Sequence, residues 1–156
     1  MRGKQAKNRP IKPDFKFNSP MVAKFINYVM LDGKKSVAET NVYKALEKLS
    51  VNTKLKPIEA FDKALENIKP KIEVRSRRVG GANYQVPVPV AEGRQLTLAL
   101  HWIINAARAN RGGREFAESL AQELFLATKK EGTAFKKRED THKMAEANKA
   151  FSHLGW

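Results

Sequence analysis

Residues 72–90, IEVRSRRVGGANYQVPVPV, are the most informative segment of the chain about its fold. Two segments rich in β-branched residues flank Gly80-Gly81, and paired glycines suit a two-residue turn whose central residues both need positive φ. Pro87 and Pro89 then fall at positions where the ladder requires no amide hydrogen. The turn and the prolines therefore select the same register of an antiparallel β-hairpin. The predicted cross-strand pairs are Val79 with Ala82, Arg77 with Tyr84, Arg75 with Val86, and Val74 with Pro87.

The predicted hairpin is basic near its tip. Arg75, Arg77 and Arg78 are close together on the first strand, and Tyr84 is on the second. Neither face is continuously apolar in this region, so we expect the distal part to project from the core. A solvated hairpin with incidental charge is the alternative. The density of arginines favours an arm that binds nucleic acid.

The positive charge is not confined to the arm, because the whole chain is strongly cationic. It has 156 residues, with 30 Lys and Arg against 16 Asp and Glu, and a formal net charge of +14. A charge of this size predicts a polyanionic partner. At this length one domain can bury a sizeable core, and we expect a single domain over residues 1–156.

Composition also argues against several classes of protein. Without cysteine, neither a disulfide nor a thiolate metal site is expected. No stretch approaches the roughly 20 apolar residues of a membrane span, and the beginning lacks a secretory signal, so the cytoplasm is the expected compartment. The histidines (His101, His142 and His153) are scattered, and no nucleophile–base pair is apparent. We expect neither an enzyme nor a cofactor.

The segment before the first predicted helix, residues 1–17, is a basic leader. It should be disordered when free and become ordered along phosphates. A solubilising tail is the alternative, since terminal charge runs often stay solvated. Its cations are Arg2, Lys4, Lys7, Arg9, Lys12 and Lys16, opposed only by Asp14.

Apolar residues at helical spacing predict six helices, so the fold class is mainly α, with the hairpin protruding between the third and fourth helices of a bundle-like body. Ser19-Pro20 and Pro57 are start signals for the first and third helices. The sixth, residues 133–151, is a basic surface helix with a narrow apolar seam. Pairing among its own charges is the alternative explanation for its composition.

Other cations are candidates for phosphate contacts because they are predicted in turns or on the surface. Turns are also charged simply because they are solvated, so each signal is weak. Lys34 and Lys35 follow the first helix, and Arg111 and Arg114 follow the fourth. The remaining candidates are Arg94, Lys136 and Lys137, and the terminal Trp156 is a candidate for stacking on a partner.

Several strings resemble one family, the bacterial small-subunit ribosomal protein seven. The similarity runs from about residue 17 to the C-terminus in the family's order, and the two longest strings make chance similarity very improbable. The leader resembles the family mainly in being basic. The strings are FNS at 17–19, DGKK at 32–35, ALEN at 64–67, SRRVGGANYQVP at 76–87 and KREDTHKMAEAN at 137–148.

The resemblance implies a structural protein that is a primary binder of the 3′ major domain of small-subunit (16S) rRNA and nucleates assembly of the subunit head. It implies a hairpin near the exit-site tRNA and mRNA, with ribosomal proteins nine and eleven as neighbours and a monomer within the ribosome. A folded RNA junction would be recognised mainly by backbone shape and unpaired bases.

Other classes of protein remain open on the sequence alone. Architectural DNA-bending proteins also combine helices with basic β-ribbon arms, although they commonly carry an apolar wedge at the arm tip, where this chain has Gly80-Gly81. A helical protein-interaction module explains the apolar stripes but not the charge. A helix-turn-helix across Asp32-Gly33 is possible, although such turns are common in ordinary helical hairpins.

Overall fold

The computed structural model describes residues 3, 6 and 10–154. It confirms a mainly helical body with a two-stranded hairpin between the third and fourth helices. None of the helices in these described residues has the length and apolar character needed to cross a membrane. In chain order the elements are α1 (Pro20–Val29), α2 (Lys35–Thr53), α3 (Pro57–Ile68), β1 (Ile72–Val79), β2 (Ala82–Pro89), α4 (Glu92–Ala109), α5 (Phe116–Thr128), α6 (Thr133–Ala147) and a 3-10 helix (Lys149–Leu154).

The predicted helix starts at Ser19-Pro20 and Pro57 are confirmed. Ser19 Oγ accepts a hydrogen bond from the Val22 amide at 3.4 Å, and Pro20 occupies the first helical position. Pro57 does the same for α3. A proline is tolerated there because the first amides of a helix have no intrahelical partner.

The core lies where α1 to α5 meet. Phe25 of α1 packs on Phe61 of α3 with ring centroids 5.0 Å apart, and both side chains are fully buried. Polar links also cross the core: Ser119 Oγ of α5 donates to the Ala107 carbonyl of α4 at 2.6 Å. Packed in this way, the helices form the body from which the interhelical turns and the hairpin extend.

The start of α6 depends on a close approach between α5 and Gly132. The buried Glu123 of α5 accepts a hydrogen bond from the Ala134 amide at 2.8 Å, so a side chain from another helix satisfies a free amide at this helix start. Gly132 has φ +93°, and a Cβ there would lie 2.9 Å from Glu123 Oε1. Only glycine fits this position without displacing the carboxylate.

The predicted hairpin register is confirmed. Arg77 lies opposite Tyr84, Arg75 opposite Val86, Val74 opposite Pro87, and Val79 opposite Ala82. The turn glycines, Gly80 and Gly81, have φ of +58° and +92°, as a primed two-residue turn requires.

The C-terminal part differs from the sequence prediction. The sixth helix was predicted to reach residue 151, but α6 ends at Ala147 and a 3-10 helix, Lys149–Leu154, follows. This short helix packs against β2, and Phe151 meets the ring of Tyr84 with centroids 5.3 Å apart. A contact with a distant strand leaves no periodic signal in the local sequence. The hairpin is therefore less isolated than expected, because the C-terminal segment covers part of one face.

Candidate nucleic-acid interface

The two faces of the hairpin have different surroundings. The face that carries Arg77, Tyr84 and Val86 is turned towards the body and the C-terminal segment, and Val86 is only 2% exposed. On the opposite face Arg78 and Asn83 form an exposed cross-strand pair. Side chains alternate between the faces of a strand, so the arginines of β1 are divided between a packed face and an open one.

At the base of the arm, Glu73 holds two of the predicted RNA-binding arginines. Its buried carboxylate accepts hydrogen bonds from Arg94 Nε at 2.9 Å and from Arg75 Nε at 2.6 Å. Burial by itself raises the pKa of the Glu73 carboxyl, but the hydrogen bonds and charges of the two arginines outweigh it and leave the pKa below its usual value. The Glu73–Arg94 contact therefore joins β1 to α4, the Glu73–Arg75 contact lies within β1, and roughly half of each arginine side chain stays exposed.

Near the tip, two more predicted contact residues have partners within the protein. Tyr84 packs on Phe151, and Arg77 donates a hydrogen bond to the carbonyl of Leu154. These contacts hold the C-terminal segment on the arm. Arg78, in contrast, is exposed and forms no salt bridge within the described residues.

The first interhelical turn and the α4–α5 turn lie beside one another. Lys34 and Arg111 line a single open groove of about 540 Å³, together with the apolar side chains of Leu31 and Val37. Arg108 also lines this groove and donates to the Val29 carbonyl at 3.1 Å. Arg108 was not among the contact residues predicted from the sequence, although its position three residues before Arg111 indicated that the two side chains could lie close together.

The other two cations of these turns are more constrained. Lys35 is 3.8 Å from Glu39 in an exposed pair, which contributes little to stability. Arg114 donates to Gln122 Oε1 at 2.7 Å, and Arg111 Nε donates to the Arg114 carbonyl at 2.8 Å. These hydrogen bonds orient both guanidinium groups at the mouth of the turn.

Lys136 and Lys137 lie on α6, beside α4. Both are exposed, and with Trp102 they line a shallow groove of about 340 Å³ between the two helices. The structure thus places them on a surface distinct from the groove at the turns.

Only part of the leader can be placed. Lys12 is exposed, whereas Arg2, Lys4, Lys7 and Arg9 lie outside the described residues, as does Trp156. Asp14 is buried and its carboxylate accepts hydrogen bonds from the amides of Lys16 at 3.1 Å, Phe17 at 2.7 Å and Ser19 at 2.9 Å. The end of the predicted leader is therefore a defined turn that leads into α1.

Salt bridges within the body involve only some of the cations. Several carboxylates are engaged by lysines of the body, such as Glu115 by Lys44 at 2.9 Å and Glu118 by Lys48 at 2.7 Å. By contrast, several predicted contact residues form no salt bridge within the described part of the chain. They are Lys12, Lys34, Arg78, Arg111, Arg114, Lys136 and Lys137.

His142 connects α6 to the start of the hairpin. Its Nε2 accepts a hydrogen bond from the Lys71 amide at 3.1 Å, which requires a neutral ring with the proton on the other nitrogen. Burial lowers the pKa of His142, and the charges of Arg138 and Lys71 lower it further. The folded protein therefore disfavours protonation of this ring.

We expect acidification to destabilise the protein through His142. Because the pKa of this ring is lower in the folded than in the unfolded state, its contribution is fully present above the unfolded value of about 6.5 and is lost as the pH falls through the folded value. His142→Gln keeps an acceptor that does not titrate. Urea unfolding at pH 7.5 and pH 5 should show a smaller pH-dependent loss for this variant than for the wild type. His153→Gln, which changes an exposed ring, is the control; equal pH dependence in all three proteins would contradict the assignment.

Comparison with known proteins identifies the family of this chain. The family model of ribosomal protein S7p/S5e matches residues 1–149. The chain is 58% identical to "Small ribosomal subunit protein uS7" of Nautilia profundicola over 156 residues, covering all of both chains. It is 54% identical to the protein of that name from Thermosipho melanesiensis over 156 residues, again covering both chains completely. With the corresponding Treponema denticola protein it shares 52% identity over 155 residues, or 99% of each chain. The chain belongs to the ribosomal protein S7p/S5e family and is a structural, non-enzymatic protein of the small ribosomal subunit.

Proposed function

We propose that this chain is a primary binder of the 3′ major domain of 16S rRNA and that its binding nucleates assembly of the subunit head. The observation that carries the proposal is the set of exposed cations without carboxylate partners, distributed over the arm, the paired turns and α6. Membership in a ribosomal family identifies the polyanion as RNA.

The proposed contacts follow from where the cations lie. Arg78 presents a guanidinium on the open face of the arm. Lys34, Arg108 and Arg111 line the groove at the turns, which also contains Asp32 and the Glu115 carboxylate paired with Lys44. A-form RNA has a narrow major groove that side chains do not read, so such separated cations recognise the shape of a folded junction through its phosphates. Arg75 and Arg94 take part with the half of each guanidinium side chain that Glu73 leaves exposed.

The proposal also covers the surroundings of the protein. The hairpin lies near the exit-site tRNA and the mRNA at the subunit interface. Ribosomal proteins nine and eleven are neighbours of the protein in the subunit. The protein acts as a monomer in the head of a cytoplasmic small subunit. A basic arm whose outer face stays open after the C-terminal segment has packed on the inner face supports this placement.

Footprinting of the isolated head-domain RNA tests the proposal. Arg78→Ala should weaken binding about three- to tenfold, reduce the salt slope by about 1 and remove protection at the nucleotides under the arm, because one phosphate contact is lost. Arg78 is the informative position, since Arg75 and Arg77 also make internal contacts. Lys63→Ala, an exposed lysine of α3 outside the proposed surfaces, is the matched control. If wild-type protein leaves the RNA unprotected, or if duplex DNA displaces that RNA at equal concentration, the proposal is wrong.

A further inference from the structure

Phe15 differs from the other phenylalanines in its exposure. Phe15 is fully exposed, whereas the remaining seven of the eight phenylalanines are buried or half-buried. Single exposed apolar residues are common on protein surfaces. A completely exposed phenyl ring needs a specific explanation, because burying such a ring would stabilise the protein by about 1.5–3 kcal/mol. The surroundings of Phe15 therefore decide whether its exposure has a function.

The backbone on both sides of Phe15 is fixed. Asp14, immediately before it, accepts hydrogen bonds from three following amides, and the Asn18 amide donates back to the Asp14 carbonyl at 3.1 Å. Two residues later Phe17 turns inward and meets the ring of Tyr43 edge-on, with centroids 5.7 Å apart. The turn thus orders one aromatic ring against the body and presents the other to solvent, so little backbone entropy is left to lose when Phe15 binds a partner.

Charge around this ring favours a nucleic acid over an apolar protein surface. Lys12 is exposed, and the only acidic group of the segment, Asp14, is buried and engaged by backbone amides. Lys16 lies over the rings of Phe17 and Tyr43, at 5.8 and 5.5 Å from their centroids, and is paired with Glu47. Unpaired bases stack on exposed aromatic rings while neighbouring phosphates meet nearby cations, and Phe15 with the exposed Lys12 three residues before it offers both.

We propose that Phe15 is an RNA-binding residue that stacks on an unpaired base of the small-subunit rRNA where the leader joins α1. This inference rests on the proposed rRNA binding. It adds a contact of a different kind from the cationic ones, because stacking displaces no counterion from the phosphates. Phe15 fixes one nucleotide in position, and the leader cations engage the backbone on either side of it.

Titrations of full-length variants with the isolated head-domain RNA, at several salt concentrations, test the inference. Phe15→Ala should weaken binding about fivefold or more at every salt concentration and leave the salt slope unchanged. Phe15→Trp should bind as well as the wild type, since it restores a stacking surface. Lys12→Ala should instead reduce the slope by about 1. Val51→Ala, at another strongly exposed apolar residue, should have no effect.

The alternatives give distinct results. If Phe15→Leu binds as tightly as the wild type, the contact is merely apolar and the stacking assignment is overturned. If Phe15→Ala binds the RNA normally but enters subunits poorly when ribosomal proteins are present, the partner is a protein and the assignment is again overturned. If wild-type protein fails to bind the RNA, the proposed function itself is wrong. Normal wild-type binding with an unaffected Phe15→Ala variant rejects only the role of Phe15.

Discussion

Raising monovalent salt from 50 to 200 mM is expected to weaken binding to the head-domain RNA by about four powers of ten. Each phosphate that is neutralised releases a condensed counterion, and engagement of about eight phosphates gives a slope of log affinity against log salt near −6 to −7. We propose that the separate cationic surfaces account for this number, with the open face of the arm, the groove at Lys34 and Arg111, α6 and the leader each meeting different phosphates. The measurement is a filter-binding titration at a series of salt concentrations.

Variants make this prediction specific to the proposed surfaces. The double variant Lys34→Gln, Arg111→Gln should lose about two from the magnitude of the slope, because both side chains line the same groove and neither forms a salt bridge in the described structure. Lys63→Gln changes the net charge at an exposed site of α3 and should leave the slope nearly unchanged. A wild-type slope shallower than about −2 would show that electrostatic contacts do not dominate binding.

Replacing Glu73 by Gln is expected to lower the free energy of unfolding by about 1–2 kcal/mol. The carboxylate accepts charge-assisted hydrogen bonds from both Arg75 and Arg94, and hydrogen bonds to charged groups contribute about 1.5–3 kcal/mol each. The loss should be smaller than their sum because the arginines are half exposed and regain water, and because a buried neutral amide costs less than a buried charge. Urea denaturation monitored by circular dichroism measures the effect.

The matched control is Glu66→Gln. Glu66 is exposed and pairs with Lys69 at 2.7 Å within α3, so its replacement should cost no more than about 0.5 kcal/mol. The pH dependence adds a second readout. Because the pKa of Glu73 is lowered in the folded state, its contribution is present above the unfolded value and is lost as the pH falls through the folded value. Equal stability of the Glu73→Gln and Glu66→Gln variants at pH 7 would show that the link between β1 and α4 is unimportant.

The features that could be predicted from the sequence are those that depend only on residues close together in the chain. Pro20 and Pro57 mark helix starts because proline suits the first helical turn whatever the rest of the fold does. Gly80-Gly81 determined the hairpin register because few turn types accept two residues with positive φ. The charge excess predicted a polyanionic partner because net charge follows from composition and does not depend on the fold.

Which predicted contact residues face solvent depends on how the helices and strands pack. Arg77 and Tyr84 belong to the arm, as predicted, yet they meet Leu154 and Phe151 from the far end of the chain. Lys34 and Arg111 are separated by three helices in sequence and line one groove in the structure. Such contacts are set by how helices and strands pack, and packing joins residues whose separation along the chain carries no periodic signal. Composition and spacing therefore determined that the surface is cationic, whereas the burial of Glu73 and the packing of the C-terminal segment decided which of its cations remain open.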